Sequence, residues 1–66
     1  MKFDITTNEL WKAEYYIEII NETYTIINIQ RYYNENKKEF KYIIEVGRER
    51  TKEESDYIRC KRMNLF

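Results

Sequence analysis

Histidine and proline are absent from this chain, and glycine, cysteine and serine occur once each. Each shortage closes off chemistry. A nucleophilic serine or cysteine needs a base to activate it, and neither Ser55 nor Cys60 has an imidazole anywhere in the chain to partner it. Zinc wants several nitrogen or sulfur ligands, which one cysteine does not supply. One cysteine also precludes an intrachain disulfide. Gly47 alone does not build a glycine-rich phosphate loop. The polar stretch Asn34–Glu39 offers oxygen ligands but lacks the central glycine of a calcium loop. The expectation is therefore no cofactor, no metal and no enzyme. A small carboxylate nuclease would need a histidine or a clustered carboxylate motif, and Glu14 and Glu18 read as a solvated outer face.

Strong net charge is missing as well: 12 basic residues balance 12 acidic ones. Residues 1–46 hold 6 basic and 8 acidic side chains, and residues 47–66 hold 6 and 4. A tail of +2 is too weak to argue nucleic-acid binding by electrostatics alone. No apolar run approaches the roughly 20 residues of a membrane span, and Met1–Asn8 has no apolar core of the length a leader needs. With a single cysteine, which suits a reducing compartment, this places the expected location in the cytoplasm.

What is present is aromatic and β-branched. Seven tyrosines, three phenylalanines and one tryptophan exceed what a minimal core requires. The 66 residues allow one small domain, 1–66. A domain of this size buries only about 60 % of the surface its unfolded chain exposes. Ile, Lys, Asn, Tyr and Glu dominate, and most of them have A/T-rich codons. That argument from the genetic code points to a low-GC bacterium, or to a phage or mobile element living in one.

Met1–Thr6 alternates, with Phe3 and Ile5 apolar and Lys2 and Asp4 polar, as a short strand with one buried face does. Trp11–Ile20 alternates too: Trp11, Ala13, Tyr15, Ile17 and Ile19 against Lys12, Glu14 and Glu18. Its aromatic and β-branched content favours a strand. A rival helix is marked by Leu10, Ala13, Ile17, Ile20, Tyr24 and Ile27 at 3–4 spacing, with Thr7 as its cap. In the strand reading Asn21–Glu22 is a tight connection that pairs Ile19 with Tyr24 and Ile17 with Ile26. Tyr24–Tyr33 is apolar on both faces, so it is expected at the centre of the sheet. Phe40–Val46 alternates, with Phe40, Tyr42, Ile44 and Val46 inward. Tyr16, Ile20, Ile27, Ile29 and Ile43 then form a second apolar face that needs a cover.

Thr51-x-x-Glu54 fits a capping box. Glu53 and Glu54 at one end and Lys61 and Arg62 at the other suit the helix dipole. Residues 52–63 thus read as a helix, although Tyr57, Ile58, Cys60, Met63 and Leu65 do not gather on one side of it. A closing strand Tyr57–Lys61 is the alternative.

The fold expected is α+β: a three- or four-stranded antiparallel β-meander with a C-terminal helix over one face. The alternative is a small all-β barrel-like domain of five short strands. The function expected is non-enzymatic protein binding, in the concrete form of a phage or mobile-element accessory protein that inhibits or redirects a host protein. Tyrosine suits such a surface because it is large, stiff and amphipathic. The contact residues expected are Tyr16, Ile27, Ile29, Tyr33 and Ile43. A homodimer is expected from the small size and the two apolar faces. The alternative is a small nucleic-acid-binding or regulatory protein that sets Arg48, Arg50, Arg59, Lys61 and Arg62 against phosphates.

Overall fold

The structure is a computed structural model that describes residues 1–63, so Leu65 lies outside the described residues. The chain runs β1 (Lys2–Thr7), α1 (Leu10–Thr23), β2 (Tyr24–Asn34), β3 (Glu39–Glu49) and α2 (Lys52–Met63). This is an α+β arrangement: an open three-stranded antiparallel sheet with two helices, and the C-terminal helix is among them. The sheet does not close into a barrel. Among the described residues no helix is long and apolar enough to cross a membrane.

The strand order is β1-β3-β2. This corrects the meander: Phe40–Val46, not Tyr24–Tyr33, lies at the centre. Tyr42, Ile44 and Val46 of β3 are buried between Phe3 and Ile5 of β1 and Ile26 and Ile29 of β2.

Trp11–Ile20 is not a strand. It forms most of α1, and Asn21–Glu22 lies inside that helix rather than in a turn. Exposure discriminates between the two periods. Trp11 and Tyr15, which alternation would bury, are 64 % and 52 % exposed. Ala13 is fully buried, and Ile17 and Ile20 pack beside it on the sheet, which is the 3–4 stripe. An isoleucine costs a helix under about 0.7 kcal/mol in propensity. Burying a large apolar side chain gains up to about 1.5–3 kcal/mol, so packing outweighs propensity even for half-buried residues. Thr7 contributes before the helix starts, its Oγ1 accepting the Glu9 N–H at 3.1 Å.

Arg50 closes the other end of α1. It sits just past β3, its backbone N–H donates to the Thr23 carbonyl at 2.7 Å, and its guanidinium donates to both oxygens of Asn21. The last turn of α1 has no cation of its own. Arg50 supplies the charge and the donors that helix C-terminal carbonyls require.

Strand β2 carries a feature that the alternation argument could not hold. Two irregularities interrupt its pairing with β3, between Tyr24 and Ile26 and between Ile26 and Asn28. Ile27 is an extra residue between the pairs Ile26–Val46 and Asn28–Glu45. The inward series on β2 therefore runs Tyr24, Ile26, then Ile29, with a step of three. Beyond the bulge, Tyr32 pairs with Lys41 on the outer face and Tyr33 with Phe40 on the α1 side. The apolar face expected from Tyr16, Ile20, Ile27, Ile29 and Ile43 consequently does not exist as one surface. A single-residue slip moves every following side chain to the other face.

The capping box at α2 is present as read. Glu54 N–H donates to Thr51 Oγ1 at 3.3 Å, and Thr51 N–H donates to Glu54 Oε1 at 3.0 Å. The residues Tyr57–Lys61 are helical, not a closing strand. Nor does α2 cover the sheet, as expected of it: it packs against α1. Glu22 of α1, only 8 % exposed, faces Arg62 at 3.1 Å and Arg59 at 3.5 Å across that junction. The molecule is 11 Å deep along its shortest Cα axis, one sheet and one helical layer.

Arg48 grips Glu54 with two parallel hydrogen bonds of 2.8 and 2.7 Å. That grip, with the Thr51 N–H, holds the Glu54 carboxyl at about 2, below the ordinary 4.5. A depressed carboxyl adds stability that is present above its unfolded value and lost as pH falls toward the folded one. The N-terminus of α2 is thus expected to fray between about pH 4.5 and pH 2. Far-UV circular dichroism of the chain and of Glu54→Gln checks this. The variant should lack the helical loss in that window, and an identical acid profile would rule the coupling out.

A candidate protein-interaction edge

Strand β1 pairs on one side only, and the phase of its pairing follows from one bond. The Val46 N–H donates to the Met1 carbonyl at 2.9 Å. Antiparallel ladders alternate between bonded and non-bonded pairs. With Met1–Val46 bonded, Phe3–Ile44 and Ile5–Tyr42 are bonded too. Lys2, Asp4 and Thr6 therefore turn their N–H and C=O groups away from β3. Among the described residues no strand meets them.

Beside this edge lies a groove of about 370 Å³. Its floor is Phe3 and Ile5, and its far wall is Tyr16, Ile19 and Ile20 of α1. The helix creates the wall because its 3.6-residue period sets Ala13, Ile17 and Ile20 down on the sheet. The adjoining stripe, Tyr16 and Ile19, then overhangs β1. Tyr16 and Ile19 remain 47 % and 37 % exposed, so the groove is apolar and open. Of the cavities beside α2, one is lined by Arg50, Glu53, Glu54, Tyr57 and Ile58, and the other by polar and charged side chains.

The residues singled out from sequence are scattered. Tyr16 is in the groove wall. Ile27 is 65 % exposed on the outer face, against Gly47, and Ile43 is half-buried on that same face. Ile29 packs inward toward α1, and Tyr33 rests on Phe40 with ring centroids 4.9 Å apart. The structure does not bring these five together. Phe3, Ile5, Ile19 and the edge residues Lys2, Asp4 and Thr6 were not singled out. The alternation of Met1–Thr6 signalled a strand with one buried face, but nothing local signals an edge.

The basic residues are engaged within the chain. Arg48 holds Glu54, Arg50 caps α1, and Arg59 and Arg62 face Glu22. Lys61 stands over the Tyr57 ring at 5.5 Å. Cys60 is exposed. Glu14 and Glu18 are one turn apart on the solvent side of α1.

No family model matches this chain, and comparison with curated proteins and with solved structures finds no match.

Proposed function

We propose that this chain is a non-enzymatic protein-interaction module that takes an extended segment of a protein onto β1 as a fourth strand. The observation that carries this reading is the unpaired edge of Lys2, Asp4 and Thr6 beside the apolar groove. In strand addition, main-chain hydrogen bonds supply affinity and alternate side chains entering a pocket supply specificity. A segment on β1 would set every second side chain over Phe3 and Ile5, against Tyr16 and Ile19. A protein held in this way is inhibited or redirected, the action that suits an accessory protein of a phage or mobile element. The nucleic-acid alternative draws less support, because Arg48, Arg50, Arg59 and Arg62 each face a carboxylate of the chain, which offsets the positive charge a phosphate would meet.

Short random peptides selected on the immobilised chain test the reading. Binders should alternate apolar and polar residues and should slow amide exchange at Lys2, Asp4 and Thr6. Asp4→Pro removes one outward N–H without touching the β3 ladder, where edge proline is tolerated. It should weaken those peptides about tenfold, near the net worth of a hydrogen bond plus the ring's steric block. Binders that leave all three amides exchanging as before would overturn the proposal.

A further inference from the structure

Resting on that reading of β1, we infer that the edge's own complement is a second copy of this chain, paired antiparallel through β1 about a two-fold axis at Phe3. Only registers that join outward-facing residues to outward-facing residues are allowed, which restricts the choice to a few. Centring on Phe3 places Lys2 opposite Asp4 of the other copy, and Asp4 opposite its Lys2. Two opposite-charge cross-strand pairs result. Centring on Asp4 sets the two Asp4 carboxylates against each other, and like charges directly opposite are destabilising. Lys2 and Asp4 are exposed, and among the described residues neither makes an ion pair within the chain, Glu45 opposite Lys2 in the β1–β3 ladder lying beyond ion-pair distance.

The opposite face agrees with this register. Phe3 meets Phe3 in a non-bonded pair, where side chains are closest, and Met1 meets Ile5. A two-fold axis normal to the sheet leaves both α1 helices on the same side. Tyr16 and Ile19 of the two copies then face each other over the Phe3 pair and close the groove. The product is a continuous six-stranded sheet whose weakly protected β1 edges are consumed. Such an interface is isologous and closed, and exposed edges are managed by covering or pairing them.

Sedimentation equilibrium of the full chain, of Lys2→Asp, of Asp4→Lys and of the double exchange tests this. Each single reversal creates two like-charge pairs by symmetry and should raise the dimer dissociation constant about tenfold. The double exchange restores opposite charges and should return it close to the original value. Amide exchange at Lys2 and Asp4 should slow as the chain is concentrated, whereas Ile29 and Arg31 on the opposite sheet edge should not respond. This second readout uses the unaltered chain, so a misfolded variant does not blunt the test. A dimer indifferent to the charge exchanges overturns the register and the inference. A chain that stays monomeric yet binds selected peptides at β1 overturns the second copy alone. A monomer that binds no peptide there overturns the strand-addition reading as well.

Discussion

Ile44→Ala is expected to leave this domain largely unfolded at physiological temperature. Ile44 is fully buried at the centre of the central strand, between Phe3 on β1 and Ile29 on β2. Truncating such a side chain removes its transfer free energy and leaves a cavity, together about 2–5 kcal/mol. A core this small supplies only about 3–5 kcal/mol in total, so one substitution removes most of the margin. Urea unfolding followed by circular dichroism measures the effect. Ile27→Ala is the internal control, since Ile27 is 65 % exposed. It should shift the midpoint by a small fraction of the Ile44→Ala shift. Equal losses at the two positions would contradict the placement of the core, and with it the bulge that separates Ile27 from Ile29.

Ala13→Leu is expected to destabilise by about 1–3 kcal/mol through overpacking. Ala13 is the point where α1 rests on the sheet, and it has no exposed surface. Leucine nearly equals alanine in helix propensity, so the cost arises from contact with the sheet and not from the helix. At roughly 4–8 °C per kcal/mol for a domain of this size, the thermal midpoint should fall by about 5 °C or more. An unchanged or raised midpoint would contradict the close seat of Ala13 on the sheet. Since α1 forms the wall of the β1 groove, the variant should also weaken peptides that bind there.

The parts legible in sequence were those specified by residues within a turn or two of each other. Thr51 and Glu54 are three apart, and their reciprocal hydrogen bonds form wherever that segment turns helical. Phe3 and Ile5, and Phe40 through Val46, have a clean period of two and became strands. Asn34 opens the β2–β3 connection with its own side chain, accepting the Asn36 and Lys37 amides at 3.0 and 3.2 Å. Residues 11–20 carried two periods at once. Alternation and the 3–4 stripe share Ala13 and Ile17, and local propensity favoured the wrong one.

Composition and local pattern determined the class of this protein: a small α+β domain with an antiparallel sheet and a capped C-terminal helix. Tertiary structure alone decided which strand is central, where the register slips at Ile27, and that α1 rather than α2 covers the sheet. These are contests between burial and propensity across distant segments, and burial of Ala13, Ile17 and Ile20 against Tyr42, Ile44 and Val46 settles them. The candidate site follows from that outcome. An edge is a strand that others left unpaired, so Lys2, Asp4 and Thr6 became available only once β3 had chosen its two neighbours.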